Sequence, residues 1–190
     1  MAVVVSAALG GCGHAATPVT VTAPDRGAWT VVPNVKNVPQ SAEDDCGRAA
    51  LATALSPWGG QKRVATEGAL ASPGGVTAGA LRDEARRLGF SSFVFEGRFE
   101  DLAREIDEGR PVVVGLARLT GEQRTAHFAV VVGREAGREA GREAGREGDR
   151  QAPSARWLLA DPALGVRARS TEALRDEWAR SGWVTLVVSR

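Results

Sequence analysis

The hydrophobic pattern changes character along the chain. Between 46 and 108 the apolar residues recur at helical spacing, and from 111 onward they come in short, nearly unbroken runs. The stretch 46–55 is mostly Ala and Leu, which favours helix and close packing against a neighbour. Pro57 and the Gly59-Gly60 pair stop it. Asp44 or Asp45 is expected to cap it, because an Asp oxygen accepts the free N–H groups of a first helical turn. Residues 64–70 read as a short helix and 72–75 (Ser-Pro-Gly-Gly) as a turn. Residues 76–88 read as a helix capped by Thr77 and ended by Gly89, with Leu81, Ala85 and Leu88 on one face. A strand is expected over 90–95, then a helix over 100–108 with Leu102 and Ile106 at i,i+4 and Gly109 as its stop.

The later runs read as strands. Residues 111–116 and 126–132 are apolar on both faces, His127 excepted, as in buried strands. Residues 157–161 form a third, ended by Pro162, and 166–168 a fourth. A helix over 170–180, with Leu174 and Trp178 on one face, precedes a closing strand over 183–188. Near the N-terminus, 29–35 reads as a first strand, and Pro33 and Asn34 make it an edge. Helices first and sheet later predict an α+β domain.

Residues 133–147 repeat Gly-Arg-Glu-Ala with period four. Arg and Glu recur at i,i+4, but a Gly every four residues costs a helix about 1 kcal/mol each against Ala. The stretch 134–151 is expected as a low-complexity, solvated insertion between two strands.

Composition narrows the function classes. Hydrophobic residues are 43% and charged residues 25%, values of a folded domain. The formal net charge of +1 argues against a nucleic-acid partner. No apolar run reaches the roughly 18 residues of a membrane span. No Cys/His/Asp/Glu cluster has metal-ligand spacing, so neither a metal nor another cofactor is expected.

The two cysteines, Cys12 and Cys46, could pair, or each could have its own task. The segment 1–12 is apolar with small residues, and Leu9-Gly10-Gly11-Cys12 resembles a bacterial lipobox, in which the Cys is acylated. It lacks a basic n-region, and a frayed apolar terminus is the alternative. The lipobox resemblance implies lipidation at Cys12, a membrane anchor and a place at the cell envelope, on its periplasmic or extracellular face. Residues 13–28 then read as a tether containing His14, and 29–190 as the domain.

Cys46 falls at a helix N-terminus, where the dipole and unpaired N–H groups favour a thiolate. Gln40 stands six positions earlier and carries a side-chain NH₂. Val38-Pro39-Gln40, five residues, then Asp45-Cys46-Gly47-Arg48-Ala49-Ala50-Leu51 resembles the opening motif of the peptidase C39 and C39-like family, papain-like cysteine peptidases known for cutting leader peptides after a double glycine. The resemblance spans roughly 33–188. It implies a papain-like fold with the Cys helix in an N-terminal helical part and the His and Asp on a C-terminal antiparallel sheet. It also implies a peptide or protein substrate.

Within that resemblance Cys46 is the nucleophile and Gln40 the donor to an oxyanion. His127, in an Ala-His-Phe setting like the family's, is the base. On its own, a lone His in an apolar strand is more often a satisfied core residue. Asp161-Pro162 matches the family's Asp-Pro, with Asp161 orienting the imidazole; read locally, it is also a strand end before a turn. His127 and Asp161 lie 34 positions apart, and setting aside the 18 residues of 134–151 leaves 16, the length of an antiparallel hairpin. Leader peptidases of the family are fused to an ABC exporter, and nothing in these 190 residues reads as one. The resemblance therefore extends to cysteine-peptidase chemistry and not to a particular substrate. A catalytically silent peptide-binding domain and a Cys-dependent acyl or amide transferase are the alternatives.

Overall fold

The computed structural model describes residues 16–19, 29–67, 70, 75–120, 123–135 and 156–190. Three short strands, β1 (Thr17–Pro18), β2 (Trp29–Val31) and β3 (Lys36–Asn37), lead to helix α1 (Cys46–Leu55). A 3-10 turn, Ser56–Trp58, continues into α2 (Gln61–Glu67), α3 (Ala78–Arg87), β4 (Ser91–Glu96) and α4 (Phe99–Asp107). Then come β5 (Val112–Thr120), β6 (Gln123–Glu135), β7 (Arg156–Asp161), β8 (Gly165–Ser170), α5 (Thr171–Arg180) and β9 (Val184–Ser189). All of the expected turn at 72–75 except Gly75, the segment 1–12 with Cys12, His14, and the repeat beyond Glu135 lie outside the described residues.

The main sheet is antiparallel with strand order β4-β9-β5-β6-β7-β8, and β2 pairs with the far end of β6. The valines of β5 and β6 are buried on both sides, as their unbroken apolar runs predict. Helices α1, α4 and α5 pack on this sheet, and α2 and α3 pack on α1. The α+β reading is correct: the Cys helix belongs to the helical part, and His127 and Asp161 belong to the sheet.

Helix starts follow local chemistry. Thr77 Oγ1 accepts from Ala80 N at 3.2 Å, and Ser170 Oγ from Ala173 N at 3.2 Å. Asp45 departs from expectation. It occupies the N-cap position of α1 but makes no side-chain cap bond. Its carboxylate instead accepts from Ser41 N (3.2 Å), Ser41 Oγ (2.7 Å) and the Arg48 guanidinium (2.6 and 2.7 Å). Charged and hydroxyl donors bind a carboxylate more strongly than a lone amide does.

Other elements differ in extent. The strand expected over 29–35 is split, because Pro33 and Asn34 form a turn with Asn34 at φ 61°. Asn is among the few residues that enter the left-handed region readily. Within the stretch read as a tether, Thr17–Pro18 pairs with Lys36–Asn37. The short helix expected over 64–70 begins at Gln61. β5 runs past Leu116 to Thr120 as a long hairpin with β6. β6 continues two residues into the stretch expected as an insertion. There Arg134 bridges Asp107 (2.9 Å) and Glu135 bridges Arg156 (3.0 Å), and both pair with β2.

Helix α5 is anchored by one aromatic side chain. Trp178 is fully buried. It lies edge-on to Phe99 (5.3 Å) and Trp183 (5.0 Å), and its Nε1 donates to Val184 O at 3.1 Å. Trp178→Ala is expected to cost about 3–5 kcal/mol of stability in urea unfolding, the range for removing a buried aromatic. A loss below about 1 kcal/mol would mean that α5 is not packed as described.

Candidate active site

Sheet register decides which side chains can meet. Leu116 pairs with His127, so Arg118, two residues on, shares the face of His127 and is its diagonal neighbour. Val130 pairs with Ala160, which sets Asp161 opposite Ala129, diagonal to His127 on the same face. Leu159 pairs with Arg167, so Arg167 shares the face of Asp161. Four neighbouring strands thus deliver Arg118, His127, Asp161 and Arg167 to one side of the sheet.

Asp161 is fully buried. Its Oδ1 is 3.0 Å from His127 Nε2 and accepts from the backbone N–H groups of Ala163 (2.9 Å) and Leu164 (3.2 Å). Its Oδ2 accepts from Arg118 Nη2 and from Arg167 Nη2, the latter at 3.1 Å. Burial pushes the carboxyl up, but the His127 hydrogen bond and charge, followed by those of Arg118, hold it far below the ordinary carboxylate range.

Cys46, the first residue of α1, is half-buried and free. His127 lies beside it and bears on its titration. Since Nε2 faces Asp161, Nδ1 is the nitrogen left for the sulfur. Burial pushes the thiol up; the His127 hydrogen bond, the Phe128 N–H, the charge of His127 and the Gly47 N–H outweigh it and leave the pKa lowered. Burial pulls the imidazole down, but hydrogen bonds to Asp161 and Cys46 leave its pKa raised. Thiol down and imidazole up favour a thiolate–imidazolium pair. Gly47 is needed here for space: a Cβ would lie 2.3 Å from Val76 Cγ2 and 3.3 Å from the Phe128 ring.

Gln40 reaches the same region through the main chain. Its N–H donates to Pro162 O at 3.0 Å, tying its loop to the turn that follows Asp161. Its side-chain Nε2 donates to Ala42 O at 3.1 Å, and its Oε1 is buried without a hydrogen-bond partner. Thr53 Oγ1 accepts from Val38 N (2.9 Å) and Ser56 Oγ from Lys36 N (2.8 Å), so the approach to Gln40 is stitched along the surface of α1. The structure brings Cys46, His127 and Asp161 into one chain of contacts, with Gln40 tied to its far end.

Sequence reasoning missed Arg118, Arg167 and Glu177. Glu177 Oε1 accepts from Arg169 Nη2 (2.6 Å), and its Oε2 lies 3.5 Å from Arg118 Nε. Arg167 and Arg169 at i,i+2 share a face of β8, a period-two signal that was available. Arg118 gave none beyond ending an apolar run. A cleft of about 480 Å³ opens beside these side chains, lined also by Leu119, Leu164 and Arg180. Among the described residues no cluster of three or more His, Cys, Asp or Glu is arranged to hold a metal, and no helix is long and apolar enough to cross a membrane.

No family model matches the sequence, and no curated protein does. Solved structures do match. The peptidase domain of Streptococcus ComA, a bi-functional ABC transporter involved in a quorum sensing pathway, is 23% identical with TM-score 0.57, over 80% of this chain and 96% of that one. A double glycine motif protease from an AMS/PCAT transporter, in complex with the leader peptide, is 18% identical with TM-score 0.53, over 81% and 90%. A candidate C39-like peptidase from Bacillus anthracis is 15% identical with TM-score 0.58, over 85% and 98%. The chain therefore has the papain-like fold of C39 peptidase domains.

The Asp161 carboxyl has an ordinary pKa of 3.8 and a depressed folded value, so its contribution to stability is present above that pH and is lost as pH falls through the folded value. Asp161→Asn leaves two guanidiniums without their buried partner and is expected to cost roughly 3 kcal/mol at pH 7. Below about pH 4 the wild-type curve should fall toward that of the variant in urea unfolding, because only the wild type loses this charge. Curves that stay parallel down to pH 2 would show that Asp161 does not carry this linkage.

Proposed function

We propose that this chain is a cysteine peptidase in which Cys46 attacks the scissile carbonyl, His127 moves the proton, Asp161 orients the imidazole and Gln40 helps to hold the oxyanion. The observation that carries the reading is His127 held between the Cys46 sulfur and the Asp161 carboxylate, with the thiol lowered and the imidazole raised.

The sulfur of Cys46 starts as thiolate beside the imidazolium and adds to the carbonyl carbon of a bound peptide. Negative charge moves to the carbonyl oxygen. Gln40 Nε2 has two hydrogens; one is used on Ala42 O, and the other remains for that oxygen. The imidazolium gives its proton to the leaving amine, the C–N bond breaks and a thioester forms. Water then attacks the thioester, His127 takes the water's proton, and the sulfur leaves as thiolate. Asp161 stays ionised throughout, as its depressed pKa requires.

The substrate class is a peptide or protein. The leader peptide bound to the AMS/PCAT protease shows that this fold can hold one. The reading includes the lipobox-like Leu9-Gly10-Gly11-Cys12 segment, which supports a lipid-anchored peptidase at the cell envelope. In cells, the wild type is then expected in the membrane fraction and Cys12→Ala in the soluble one. A soluble wild type would remove the anchor from the proposal.

Two variants separate the chemical roles. Cys46→Ala is expected to abolish peptide cleavage with the fold intact, since Ala fills less space than Cys. Gln40→Ala is expected to slow cleavage by about 10²–10³ in kcat, the cost of one oxyanion donor. It should leave iodoacetamide alkylation of Cys46 nearly unchanged, because alkylation builds no oxyanion. Equal losses in both assays would make Gln40 a structural residue and overturn its assigned role.

A further inference from the structure

Asp161 divides its two oxygens. Oδ1 serves His127 and the turn N–H groups, while Oδ2 is given wholly to Arg118 and Arg167. Arg118 is also held from behind: its Nε lies 3.5 Å from Glu177 Oε2, and Glu177 is itself gripped by Arg169 at 2.6 Å. The guanidinium thus lies between two carboxylates, hydrogen-bonded to Asp161 and in a longer ion pair with Glu177, whose Oε2 makes no hydrogen bond. Its side chain is only 22% exposed, so solvent screens its charge incompletely.

From this geometry we infer that Arg118 is a positioning residue that sets the proton affinity and orientation of His127 through Asp161. The inference rests on the cysteine-peptidase reading for its meaning in catalysis. A buried carboxylate facing a histidine alone would hold the imidazolium tightly and make it a poor acid. Arg118 draws part of the carboxylate's charge to Oδ2 and presents a like charge toward the ring, and both effects ease proton release. The charge of Arg118 lowers the imidazole pKa against the raising effects of Asp161 and Cys46. Arg167 is the weaker partner, with a single 3.1 Å contact and a buried Nε that makes no hydrogen bond.

The charged groups linked to the imidazole come from five elements: Cys46 from α1, Arg118 from β5 and Asp161 from β7 act on it directly, and Arg167 and Arg169 from β8 and Glu177 from α5 act through Asp161 and Arg118. Two of them give opposite signs when neutralised, which separates an electrostatic role from a merely structural one.

The test is an NMR titration of the His127 ring in the full chain, using Cys46→Ala as background so that no cleavage is needed. Arg118→Gln is expected to raise the His127 pKa by about one unit, the effect of one neighbouring charge. Arg118→Lys is expected to restore most of it. Glu177→Gln, which removes a negative charge behind Arg118, is expected to lower it. An unchanged pKa in folded Arg118→Gln, a Lys variant that behaves like Gln, or a rise in Glu177→Gln would each overturn the inference. Should Arg118→Gln fail to fold, the Lys and Glu177 variants still decide it. The peptidase reading fails separately, by the absence of Cys46-dependent cleavage in the otherwise unmodified chain.

Discussion

A carboxylate taken wholly out of water must have its lone pairs filled or give up its charge, and Asp161 imposes that requirement on the whole sheet. Its donors arrive from β5, β6, β8 and the turn after β7. Each strand must therefore hold its register, since a slip of one residue would send its contributor to the opposite face. The length of β5 follows from the same need: a strand stopping at Leu116 would not carry Arg118 beside the carboxylate. Apolar burial holds the sheet together, while the charge at Asp161 restricts the alignments in which it can do so.

Besides its apolar packing, the helical part is joined to this sheet by a hydrogen-bonded loop. Thr53 and Ser56, hydroxyl residues in and just after an otherwise apolar helix, accept amides from the segment before Gln40. Asp45 folds back on Ser41 and Arg48 and fixes the next stretch. Gln40 then reaches across to Pro162, one residue from Asp161. The Cys46 helix and the Asp161 turn are thereby tied together by a loop, and the imidazole of His127 lies between them.

What could be read from the sequence divides along physical lines. Cys46 was legible because a helix start, a preceding Gln and small following residues each leave a local mark. His127 and Asp161 were legible because a polar residue inside an apolar strand, and an acid before a proline, stand out from their neighbours. Arg118 was not, because an arginine at the end of an apolar run looks like the end of a strand; its meaning depends on the pairing of Leu116 with His127, which no local pattern encodes. Asp45 was read as a cap since its position was right, but stronger donors in space took its carboxylate. Strand ends at Thr120, Glu135 and Ser170 were underestimated because ladders extend wherever a partner is present, whether or not the residues are apolar.

The wide separation of the interacting residues bears on how the chain is made. Cys46 leaves the ribosome long before His127, and His127 well before Asp161, 34 positions later. Until β7 has joined β6, the sulfur has neither an oriented imidazole nor a buried carboxylate behind it, and it remains an ordinary thiol. A nascent chain with only the helical part and the first strands of the sheet thus carries an unarmed cysteine. The pairing of this sulfur with an oriented imidazole arrives as a late consequence of closing the sheet, so the nearly finished fold itself delays the assembly of the site during synthesis.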